Sequence, residues 1–166
     1  MSIDVDIRID TPFEDDVDRA SLSRGIRVAA DSRGFIDGRI ELWITTDPRI
    51  HRINREHLDH DYPTDVISFG YLAENGRIEG EMVVSRDTAE RQAAELGVPP
   101  EEELLRYVVH GTLHIAGMDD ADAVQRDRMR DAEDQVIRKV LGMIRDVDGG
   151  CGPRESEPML APESES

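Results

Sequence analysis

Residues 99–117 read PPEEELLRYVVHGTLHIAG, and the two halves of this stretch differ in character. The first half follows its prolines with Glu101, Glu102 and Glu103, residue types suited to a first helical turn with its exposed N–H groups and positive dipole end. The spacing predicts a helix from Pro100 to Ala116 that stops at Gly117. The second half is different: from Tyr107 to Met118 there is no charged side chain, in a chain that is 34% charged. A helix that sheds its charge in this way belongs in the core, so other elements must surround it.

Those elements can be read outward from it. Ile3, Val5, Ile7 and Ile9 alternate with polar residues, as do Ile40, Leu42 and Ile44, and both runs predict half-buried strands. Between them a helix is expected from Thr11 to Ala30, with Leu22, Ile26 and Ala29 on one side. A short helix through Ile50 and Ile53 should end before Asp61-Tyr62-Pro63, because proline biases Tyr62 away from helix. TDVISFGYL, the turn-like ENGR and GEMVVS then give two more strands. Ser85 and Gly97 bracket a helix as N-cap and C-terminal glycine, and a last helix is expected from Ala121 to Leu141, with a stripe of Val124, Met129, Ala132, Val136 and Val140. The order is βαβαββααα. It predicts an α+β fold, a small mixed four-stranded sheet covered by helices, with any metal site on the buried helix.

One domain over residues 1–145 accounts for a chain of 166 residues. Residues 146–166, rich in Gly, Pro, Ser and Glu, are expected to form a disordered tail, since they offer too little apolar surface to offset the entropy of ordering. No uncharged run approaches the ~20 residues of a membrane span. Residues 1–10 hold no apolar stretch of signal-peptide length, and Cys151 has no internal disulfide partner, which favours the cytoplasm. The net charge of −17 argues against nucleic acid, whose binding draws on Lys and Arg neutralising phosphates. From Met143 on, Arg145 and Arg154 stand against six carboxylates, so part of that charge lies outside the expected domain. Any nucleic-acid site must still be a local basic patch on an acidic protein, and neither DNA nor a membrane is an expected partner.

His110 and His114 lie four apart and can therefore direct two imidazoles at one point from one helix face. Two histidines on a helix are often simply core residues, but buried imidazoles need hydrogen-bond partners or a metal. Gly117 lets the chain turn back, so that Asp119 or Asp120 can present an oxygen to the same point. Other polar residues have simpler readings. Pro63-Thr64-Asp65 reads as a turn opening a strand, His60 as a loop histidine, and Arg86, Arg91 and Arg106 as partners for neighbouring carboxylates.

HGTLHIAGMDD, residues 110–120, resembles the H-G-x-L-H-x-x-G-Y-D-H signature of the YbeY family, bacterial metal-dependent endoribonucleases implicated in ribosomal RNA maturation and ribosome quality control. INREHLDHDYPTDVISF is similar to that family's L-N-x-x-Y-R-x-x-D-x-P-T-D-V-L-S-F, and GEMVVS to its G-D-I-V-I-S strand, so that ordered matches run from about Ile53 to Asp120. The resemblance implies a zinc-dependent, single-strand-preferring endoribonuclease acting on ribosomal RNA or a ribosomal subunit. It also implies three zinc ligands at His110, His114 and Asp120, with Asp119 on the family's own aspartate position. The third histidine of the signature is thus Asp120 here, the tyrosine is Met118, and an arginine associated with the active site is Leu58. A carboxylate can replace imidazole on a metal, whereas leucine cannot replace a guanidinium. Zinc held by three ligands keeps a position for water and lowers its pKa to about 7. The sequence does not identify the base that assists water; Asp119 and His60 are two residues that could serve. Two rival readings are a metalloprotease-like hydrolase, which would need a Glu where Gly111 stands, and a non-catalytic ribosome assembly factor stabilised by its metal.

Overall fold

The structure is a computed structural model and describes residues 2–10, 17–57 and 66–149, with only the backbone course given for 54–57 and 143–149. Four strands, β1 (Ile3–Ile9), β2 (Asp37–Thr45), β3 (Val66–Glu74) and β4 (Arg77–Ser85), form one sheet in the order β1-β2-β4-β3. The β1–β2 and β2–β4 pairs are parallel and β3–β4 is antiparallel. The expected mixed sheet is therefore present. The hairpin between β3 and β4 turns at Asn75 and Gly76, both at positive φ (53° and 77°), the geometry whose twist matches that of paired strands.

Five helices complete the domain: α1 (Arg19–Ser32), α2 (Asp47–His57), α3 (Arg86–Leu96), α4 (Pro100–Ile115) and α5 (Ala123–Gly149). Alternation in the strands decides what each face meets. Ile40, Leu42 and Ile44 of β2 and Ile78, Met82 and Val84 of β4 point into one core with Leu22, Ile26 and Ala29 of α1, Leu105, Val108, Val109 and Leu113 of α4, and Met129, Val136 and Val140 of α5. On the other face a smaller cluster gathers Ile50 of α2, Ile67 and Val83, with Trp43 and Phe69 beside it.

α4 is the central helix, as its uncharged second half predicts, and it presses closely on the sheet. A Cβ at Gly111 would stand 2.5 Å from Met82 Sδ and 3.2 Å from Val66 Cγ2, and one at Gly80 would stand 2.8 Å from Ile115 Cγ2. A glycine on each side of the seam, Gly111 under Met82 and Gly80 under Ile115, lets the helix settle onto β3 and β4.

Local signals set most helix ends. Ser85 Oγ accepts from Thr88 N at 3.1 Å and Gly97 takes the left-handed C-terminal position, as expected. Other bounds differ. α1 begins at Arg19, where Asp18 accepts from Ser21 N, and not at Thr11; residues 11–16 lie outside the described residues. α5 starts at Ala123 and continues beyond Leu141 to Gly149, and Val124, expected in its apolar stripe, is 59% exposed. Asp122 explains that start. Its Oδ1 accepts from Gln125 N at 2.8 Å while Gln125 Oε1 accepts from Ala121 N and Asp122 N, a reciprocal cap that begins the helix two residues later than the apolar pattern suggests. Leu58, His60, Pro63, Thr64 and Asp65 lie outside the described residues, as do residues 150–166 of the expected tail.

Candidate metal centre

The last turn of α4 and the loop that follows it form a site through backbone geometry. Gly117 has φ 105°, its N–H donates to His114 O (2.9 Å), and Met118 N donates to Leu113 O (3.0 Å). This pair of bonds is the Schellman arrangement, which satisfies the free carbonyls at the helix end and sends the chain back along the helix. Met118 packs against the core of which Leu113 is a member. The reversed chain then meets the reciprocal cap of α5 at Asp122. Asp120 therefore sits between two tied ends, and the order of those ties is written in the local sequence.

The carboxylate of Asp120 faces both histidines. Its Oδ2 lies 3.5 Å from His110 Nε2 and its Oδ1 3.4 Å from His114 Nε2. The imidazoles are edge to face, with centroids 4.7 Å apart. One ligand atom from each of the three residues lies within 4.8 Å of the others, so the group can hold a metal ion. Ligand atoms about 2.0–2.1 Å from a tetrahedral ion are separated by roughly 3.4 Å, which agrees with the two distances from histidine to Asp120. The donor set, two nitrogens and a carboxylate oxygen, also suits such an ion. Of the two aspartates left open by spacing, Asp120 joins the histidines. Asp119 is turned into its own loop, where its Oδ1 accepts from Asp120 N at 2.8 Å.

The site lies at the surface end of a buried helix: the side chains of His110, His114 and Asp120 retain 24%, 27% and 36% of their exposure. An apolar cavity of about 220 Å³ lined by Leu22, Arg86, Leu104, Leu105 and Leu141 is near the other end of α4 and shares no residue with it.

Sequence reasoning missed Glu133. On α5 it is 7% exposed, and its Oε2 lies 2.5 Å from His110 Nδ1, the ring nitrogen turned away from Asp120. Arg106 of α4 reaches the other oxygen, with Nη1 3.1 Å from Glu133 Oε1 and Nη2 2.9 Å from Asp134 Oδ1. Burial pulls the Arg106 pKa down, but the hydrogen bonds it donates to Asp134 and Glu133 outweigh it and hold the guanidinium above its ordinary value. A signal was available: Glu133 falls between Met129 and Val136 on the buried stripe of α5, where a carboxylate needs partners. The expected carboxylate partners for arginines are present. Arg106 has Glu133 and Asp134, Arg91 lies 2.5 Å from Asp47, and Arg86 lies 3.4 Å from Glu90.

Gly111, the residue after the first histidine, points into the seam with Met82. The place where a metalloprotease carries its general-base glutamate is here packed against the sheet.

Comparison with known proteins agrees with this architecture. The solution structure of TM1509 from Thermotoga maritima has the same fold, with a TM-score of 0.58 at 24% identity over 92% of this chain and 99% of that one. An endoribonuclease YbeY of Rhodopirellula baltica is 45% identical over 86% of this chain and 78% of its own length, and that of Salinibacter ruber is 38% identical over 76% of this chain and 85% of its own. The sequence pattern described as "Endoribonuclease YbeY" matches residues 12–141. Its span takes in all elements after β1 through Leu141, with the paired histidines and the tied loop of Asp120, and on these grounds the chain belongs to the endoribonuclease YbeY family.

Proposed function

We propose that this chain is a zinc-dependent endoribonuclease that cleaves single-stranded segments of ribosomal RNA in the cytoplasm, in RNA maturation and ribosome quality control. The observation that carries the reading is the convergence of His110, His114 and Asp120 in a chain whose relatives are endoribonucleases. In this reading His110 and His114 each give a neutral imidazole nitrogen and Asp120 gives an oxygen. A divalent ion held by these three residues would supply Lewis-acid chemistry, acidifying water and polarising a phosphate oxygen. The partly exposed position of the three residues supports access by a flexible strand. The net charge of −17 requires RNA contacts to be local. Tight packing at Gly111 speaks against the protease reading.

The decisive assay incubates zinc-loaded protein with single-stranded ribosomal RNA and follows fragments on a denaturing gel, with His114→Ala as control. Cleavage by the parent and not by the variant is expected. Zinc binding without cleavage would favour a non-catalytic assembly factor, the reading to which Leu58 in place of the family's arginine lends weight.

A further inference from the structure

We propose that Glu133 is the positioning residue of the metal centre. It holds the His110 proton on Nδ1 and so leaves Nε2, the nitrogen facing Asp120, as the electron-pair donor. The inference rests on the reading of His110, His114 and Asp120 as ligands.

A neutral imidazole carries one ring proton, and His110 stands between two carboxylates that accept hydrogen bonds and donate none when ionised. Glu133 Oε2 is 2.5 Å from Nδ1, whereas Asp120 Oδ2 is 3.5 Å from Nε2. The short contact takes the proton. Arg106 keeps Glu133 in place, because its Nη1 donates to Oε1, the oxygen that His110 does not use, while its Nη2 is tied to Asp134. Both oxygens of Glu133 therefore have assigned donors, one on a cation and one on the imidazole. Carboxylates that orient a metal-bound histidine in this way commonly change affinity by ~10–100-fold when altered.

This division of oxygens makes glutamine a sharp test. An amide of the same shape has one oxygen and one NH₂. The Arg106 guanidinium, being charged, draws the oxygen, and the NH₂ then faces Nδ1. His110 must accept there, its proton moves to Nε2, and the nitrogen aimed at the metal is blocked. Removing the competing cation as well, with Arg106→Met, lets the amide turn its oxygen back to Nδ1–H.

Two measurements on the full chain decide the matter: zinc affinity by competition with a chromogenic chelator, and the ring-nitrogen NMR shifts of His110 in metal-free protein. Glu133→Gln should weaken zinc binding by ~10–100-fold and move the His110 proton from Nδ1 to Nε2. The double variant with Arg106→Met should regain most of the affinity and the Nδ1–H form. A merely structural ion pair predicts the reverse, with the double variant no better than Glu133→Gln. Unchanged affinity in Glu133→Gln, an unchanged tautomer, or a double variant as weak as the single one overturns the proposal. A parent protein that binds no zinc, equal in this to His114→Ala, overturns the ligand reading beneath it and is told apart by the parent's own binding curve.

Discussion

Gly111→Ala tests the seam on which the whole site rests. Two effects compete. Alanine in the middle of a helix is favoured over glycine by about 1 kcal/mol, through backbone entropy. Against that, the new methyl would stand 2.5 Å from Met82 Sδ, 3.2 Å from Met82 Cγ and 3.2 Å from Val66 Cγ2, all inside normal contact. Met82 is 1% exposed, so its thioether has little room to retreat, and overpacking of this kind costs about 1–3 kcal/mol. Methionine adapts better than a branched chain, which places the cost toward the lower half of that range. The net expectation for Gly111→Ala is a stability equal to the parent or about 1 kcal/mol below it. Gly142→Ala on α5 supplies the control, because a Cβ there has nothing within 4 Å and only the helical gain of about 1 kcal/mol remains. Urea unfolding with a chelator present, at matched m-values, measures both. If the two substitutions stabilise alike, the seam has slack and the packing argument against a glutamate at position 111 fails with it.

Three further outcomes follow from particular residues. Asp120→Ala should lose most zinc affinity, Asp120→His should keep it and Asp119→Asn should change it little, by chelator competition; loss in Asp119→Asn with retention in Asp120→Ala would shift the ligand assignment by one residue. Burial alone would raise the Asp47 pKa, but the hydrogen bonds from Ser85, Thr88 and Arg91 more than offset this, so its carboxyl titrates below the ordinary 3.8. A depressed folded pKa contributes stability above about pH 4 that is lost as pH falls through the folded value. Asp47→Asn should therefore be less stable at pH 7 by about 1–3 kcal/mol, a gap that narrows below pH 3.8 in urea titrations; a gap independent of pH would refute the role. A chain ending at Arg145 should keep nearly the full unfolding free energy and zinc affinity, and its precipitation or unfolding would mean that residues 146–166 contribute to the core.

Much of the fold was legible because its signals are local. Alternation in Ile40, Leu42 and Ile44, the Ser85 and Gly97 caps and the uncharged run of α4 each concern residues within a few positions of one another, and the corresponding elements formed. The pairing of His110 with His114 was legible for the same reason, since helical periodicity alone puts them on one face. Spacing could not choose between Asp119 and Asp120. The register of the family signature chose Asp120, and in the structure the left-handed Gly117, the bond from Met118 N to Leu113 O and the turn made by Asp119 bring that carboxylate back to the helix. Glu133 was hidden more deeply. It is 23 positions from His110 in sequence, and the packing of α5 on α4 alone brings its oxygen to 2.5 Å from Nδ1. The sequence by itself determined which residue types could serve a metal, because that is a property of side chains. Their convergence, and the carboxylate that contacts one of them, belonged to the tertiary structure, because distance between helices is fixed by the core and not by the chain.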